Sequence, residues 1–153
     1  MGEIRTTVWC LGNPLRGDDG AAVRCGEMLL EAPETHLEVV LCEAVPENFA
    51  APLRRTPPER LVILDACLMG TEPGTIRMLD FECLDGLTET THGLPLGGIL
   101  KDILPREKVF VIGIEPGNTD FSLALSPKVE AAVQLLACAL RDGSWIRIPG
   151  APL

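Results

Sequence analysis

Arg60-Leu61-Val62-Ile63-Leu64-Asp65 sets four apolar residues in unbroken succession and ends on an acid. An apolar run of that length with β-branched residues in its middle predicts a strand buried on both faces. Reading outward from it, comparable runs recur on both sides. Thr6 to Leu11 is a second buried strand, ended by Gly12, and Leu37 to Leu41 is a third. Downstream, Val109 to Gly113 is a fourth, while Thr75 to Leu79 alternates only weakly and belongs nearer a sheet edge.

Helical patterns separate these strands. Val23, Met28, Leu29 and Leu30 recur among helix formers and predict a helix over roughly 20–31. Pro46-Glu47-Asn48 opens a loop or short helix carrying Phe49 and Leu53, closed by Pro57-Pro58. Residues 80–95 read as mostly loop, followed by a helix of about eight residues around 96–104. Ser126-Pro127, with the serine as cap and proline at the first helical position, starts a helix from 127 to about 141. Alternating buried strands and helices predict a three-layer α/β/α sandwich around a mostly parallel, twisted sheet of about five strands. Residues 1–143 form one domain in this reading. Residues 144–153, with Pro149, Gly150 and Pro152, read as a loose C-terminal tail.

Composition narrows the function. A chain of 153 residues with 46% hydrophobic content can build one packed core. A net charge of −9 and a pI near 4.7 exclude a nucleic-acid binder, which needs cations to displace phosphate counterions, and exclude adsorption on an anionic membrane. No apolar run reaches the roughly 18 residues of a membrane span, so no membrane insertion is expected. The first six residues match the myristoylation pattern, but a strand begins at once and leaves no flexible anchor. Cys10, Cys25, Cys42, Cys67, Cys83 and Cys138 are scattered, without a CxxC pair. That spacing argues against a zinc knuckle and for reduced thiols in a cytoplasmic protein.

In an open α/β sheet, ligands bind past the carboxyl ends of the strands. What lies there is Asp18 and Asp19 after the Thr6–Leu11 strand, Asp65 at the end of its own strand, His92 in a mid-chain loop and Glu115 after the Val109–Gly113 strand. Carboxylates and an imidazole converging on one edge suit a divalent metal. Each also has a plainer reading: Asp19 as a helix cap, Asp65 as a turn cap, His92 as a structural histidine. His36, at a helix–strand junction among polar residues, reads as solvated. The glycine turn Gly12-Asn13-Pro14-Leu15-Arg16-Gly17 outlines a phosphate cradle, but it is neither GxGxxG nor a Walker motif, and two aspartates close it.

Seven segments in order sharpen this. They are Leu11-Gly12-Asn13 with Gly17-Asp18-Asp19-Gly20, Val45-Pro46-Glu47-Asn48, Leu64-Asp65-Ala66 with Met69-Gly70, and Pro73-Gly74-Thr75-Ile76-Arg77. Thr90-Thr91-His92 with Pro95-Leu96, Gly113-Ile114-Glu115-Pro116, and Ser126-Pro127 with Val129 complete the set. Together, over roughly 7–142, the chain resembles the hydrogenase maturation endopeptidases, and more narrowly the branch serving hydrogenase 3 (formate hydrogenlyase). The resemblance implies an endopeptidase that removes the C-terminal extension of a nickel–iron hydrogenase large-subunit precursor after nickel insertion. It places metal-binding and catalytic roles on Asp19, Asp65 and His92, with Asp18 and Glu115 as supporting acids. Two positions depart from the family pattern: Ala22 stands where a second glycine is common, and Glu115 where glutamine is common.

No HExxH, no GxSxG and no family-like Cys–His pair is present. The metal that the resemblance implies is nickel presented by the substrate, with no organic cofactor. An aspartic-type mechanism, in which Asp19 and Asp65 activate water, stands beside the metal-assisted one. The expected partner is the large-subunit precursor, met by a monomer. A non-catalytic nickel-loading sensor or chaperone is the alternative function.

Overall fold

The structure, a computed structural model, describes residues 3–87 and 95–152. Five strands form one sheet: β1 (Thr6–Leu11), β2 (Leu37–Glu43), β3 (Arg60–Ala66), β4 (Ile76–Leu79) and β5 (Val109–Ile114), in the order β2-β1-β3-β5-β4. The first four positions in that order are parallel, and β4 closes the edge antiparallel to β5. The expected sandwich is the observed one.

Strand alternation divides the core in two. Val8 and Cys10 of β1, Val62 and Leu64 of β3, and Ile112 and Ile114 of β5 face α1 (Ala21–Glu31) and α5 (Pro127–Asp142). Trp9 and Leu11, Leu61 and Ile63, and Val109 and Val111 face the other layer. There Leu53 of α2 (Ala50–Arg55), Leu84 of α3 (Leu84–Leu87), and Leu96 and Leu100 of α4 (Leu96–Lys101) cover them. The chain leaves the carboxyl end of β1 through α1 toward β2 and that of β3 toward β4 on the other side, so the connections diverge between these neighbouring strand ends. A crevice between diverging connections is where doubly wound sheets bind ligands.

Four expectations need correction. The stretch 80–95 is not mostly loop over its described part, since Phe81–Cys83 forms a 3-10 turn that leads into α3 with Leu84 fully buried. The helix near 96–104 is six residues long, because Leu104 is already past its end. The tail is not loose. Ser144–Arg147 forms a 3-10 turn, Trp145 is 1% exposed, and its ring meets Phe110 edge-to-face at 5.1 Å with the Arg60 guanidinium 5.0 Å from its centroid. Beyond it, Met78 N donates to Pro149 O at 2.7 Å and Ala151 N to Met78 O at 3.0 Å. The tail thus pairs with the free edge of β4, whose groups would otherwise face water unpaired. His36 is likewise not solvated: its Nδ1 lies 2.5 Å from Glu3 and its side chain is largely covered.

Candidate functional site

The turn after β1 is forced to fold tightly. Gly12 has φ +125°, and a Cβ there would lie 2.0 Å from Asp19 O and 3.5 Å from Asp65 Oδ1. Only glycine fits, and its absent side chain lets the Asp19 segment close onto the end of β3. Asp19 does not cap a helix. The cap of α1 is Gly20, and Asp19 Oδ2 instead accepts from Asn13 N at 2.8 Å across the turn. Asp65 sits on β3 opposite Gly113 of β5 and is nearly fully buried. Burial, and next the charge of Asp19, push its carboxyl up to about 8 against a modest pull from the Ala66 N–H. A buried acid beside a second acid keeps its proton at neutral pH.

The other two acids do not join this pair. Asp18 is fully buried, with Oδ2 accepting from Gly117 N, Asn118 N and Ser126 Oγ at 2.7–2.8 Å and Oδ1 accepting from Ser126 N at 2.7 Å. Burial pushes its carboxyl up, but the Ser126 hydroxyl and the three backbone N–H groups outweigh it and hold the acid below its usual range. Ser126, expected to cap α5 through its side chain, makes no cap hydrogen bond. Its hydroxyl is directed to Asp18. Glu115 behaves alike. Its Oε1 accepts from Met69 N at 2.7 Å, Thr71 N at 3.0 Å and Thr71 Oγ1 at 2.9 Å. Burial again acts upward, and these donors together bring the carboxyl below its ordinary value.

The arrangement is a groove of about 440 Å³ past the strand ends, whose lining includes Arg16, Asp19, Cys67, Leu68, Pro116 and Thr119. Asp19 lines it, as do Ala66 and Cys67, which follow the buried Asp65 in the chain. Asp18 fastens the Asp19 turn to the Pro116–Thr119 wall, helped by Arg16 Nε donating to Thr119 O at 3.3 Å and Gly17 N to Ser122 O at 2.8 Å. Glu115 fastens the opposite wall. Burial, and after it Asp65, raise the Cys67 thiol, which removes thiolate character from the cysteine nearest the acids.

The structure brings Asp19 and Asp65 together, and sets Asp18 and Glu115 to hold the loops around them. His92 lies outside the described residues, and among the described residues no group of three metal-ligating side chains forms. Two adjacent acids are oxygen donors suited to a divalent cation. Sequence reasoning passed over Arg16, Leu68 and Thr119 as lining residues. Arg16 stood inside the glycine turn and carried a signal, whereas Leu68 and Thr119 follow no pattern.

Comparison with known proteins places the chain. A family model described as hydrogenase maturation protease matches residues 23–141. The hydrogenase 3 maturation protease of Escherichia coli K12 is 34% identical over 128 residues, covering 82% of this chain and 81% of that one. A crystal structure of a hydrogenase 3 maturation protease superposes with a TM-score of 0.82 at 28% identity, covering 98% of both chains. A nickel–iron hydrogenase maturation protease from Thermococcus kodakarensis gives 0.77 at 27% identity over 92% of each. With a buried acid pair at the strand crossover and relatives matched over nearly its whole length, the chain belongs to the hydrogenase maturation protease family.

Proposed function

We propose that this protein is a cytoplasmic endopeptidase that trims the C-terminal extension from the large-subunit precursor of a nickel–iron hydrogenase once nickel is in place. The observation that carries the reading is the acid pair: Asp65, buried beside Asp19, which lines an open groove. Family membership supplies the peptide as substrate.

Hydrolysis needs a water made nucleophilic, a polarised carbonyl and a proton for the leaving amine. Asp19, half-buried and facing the groove, takes the proton of the attacking water. Asp65 stores a proton that the leaving nitrogen requires. Nickel arrives as part of the substrate, and its positive charge offsets the negative charge that the acids place at the groove. In this reading Asp19, Asp65 and His92 inspect the loaded site, and a precursor without nickel leaves the pair in its resting charge state.

The test is direct. Nickel-loaded and nickel-free precursor are incubated with the protein and the large subunit is followed by mass. Cleavage of the loaded form alone is expected. Binding of the loaded precursor with no cleavage would return the protein to the sensor or chaperone class.

A further inference from the structure

Leu68 is a large apolar side chain left 83% exposed, and it lines the groove one residue after Cys67. Exposed leucines are common and need no explanation singly. This one differs in how its backbone is held. The loop after β3 is tied down immediately beyond Leu68, where the buried Glu115 carboxylate accepts from Met69 N, Thr71 N and Thr71 Oγ1. The main chain of Glu115 adds a second tie, its N donating to Thr75 O at 2.8 Å and its O accepting from Gly74 N at 2.9 Å. On the near side, Cys67 N donates to Ile114 O at 2.9 Å. A buried acid with its hydrogen bonds satisfied thus fixes the position of a leucine that touches solvent.

We propose that Leu68 is a specificity-determining residue that takes an apolar side chain of the precursor peptide in the groove, and that Glu115 is its positioning residue. Preorganising a contact before binding removes the ordering cost that a mobile loop would add. Because Leu68 contacts a part of the substrate that does not react, its loss acts on ground state and transition state alike. The proposal rests on the peptidase reading above, and its test separates the two.

Nickel-loaded precursor is titrated against wild type and variants to measure binding, and its cleavage is timed in parallel. Leu68→Ala is expected to weaken binding and raise KM by about tenfold or more, the range for lost apolar contacts in a pocket, with kcat retained. Leu68→Met is expected to restore most of both. Glu115→Ala is expected to copy the KM effect and Glu115→Gln, which keeps the Oε1 acceptor, to rescue it. Leu135→Ala, at another exposed leucine on α5, serves as the control. Binding and KM unchanged in Leu68→Ala overturn the proposal and leave the peptidase reading intact. Wild type that binds tightly, loses affinity in Leu68→Ala and never cleaves overturns the peptidase reading alone.

Discussion

Asp65 and Glu115 leave the ends of neighbouring strands and are equally buried, each 4% exposed, yet burial has opposite outcomes for them. Glu115 receives three hydrogen bonds from the 69–71 loop and is held below its ordinary value, while Asp65 faces another acid and is pushed up to about 8. Asp18 and Asp19, one residue apart, differ in their supply of donors. Asp18 takes four donors, whereas Asp19 takes one N–H and opens onto the groove. Desolvation acts on all buried acids alike, and the supply of donors decides which becomes scaffold and which keeps a reactive proton.

The contrast is broken most severely through activity. Asp19→Ala and Asp65→Ala are expected to lower precursor cleavage by about 10²–10⁴-fold while melting at or above the wild-type temperature, and His92→Ala to lose cleavage likewise. Cleavage at the wild-type rate by any of the three would remove that residue from the machinery. Asp18→Ala is expected to act the other way round, on stability. It strands three buried backbone N–H groups and the Ser126 hydroxyl, a loss of about 3–5 kcal/mol by analogy with breaking a buried ionic network. Ser126→Ala, which removes one donor, should cost only about 1 kcal/mol. Denaturant midpoints read both, and an Asp18→Ala protein as stable as wild type would dissolve the distinction between the pairs.

Titration sharpens the same comparison. The carboxyl of Asp65 is raised from an ordinary 3.8 to about 8, so over that interval the folded state binds more protons than the unfolded one. Its contribution therefore falls as pH rises from about 4 to 8. Asp18 and Glu115 have the opposite sign, since their lowered values give stability that is lost on acidification below the ordinary carboxylate range. Asp65→Asn is expected to gain stability over wild type progressively between pH 4 and 8, and a constant difference would refute the assignment. The smallest effect is expected from Glu115→Gln, which keeps the acceptor for Met69 and Thr71 and should change stability by less than about 1 kcal/mol. If cleavage by that variant fell more than about 100-fold, or 2.7 kcal/mol of transition-state stabilisation, Glu115 would belong with the acid pair.

The layers were legible because each depends on a pattern within a few residues. The apolar run at Leu61–Leu64 and its counterparts in β1 and β5 announce strands buried on both faces, and acids placed just past them announce a site edge. Sequence by itself therefore determined the sandwich, the weak edge strand β4 and the placing of Asp18, Asp19, Asp65 and Glu115 past strand ends. What it could not determine were pairings between distant segments. Ser126 reads locally as a helix cap, and only the fold brings Asp18 close enough to claim its hydroxyl. Pro149-Gly150 reads as a tail, and only the presence of an unpaired β4 edge and a slot for Trp145 beside Phe110 docks it. The charge of a buried acid is of the same kind. It is set by donors and charges that the chain delivers from far along its length, so the tertiary structure alone decided which of four acids keeps its proton.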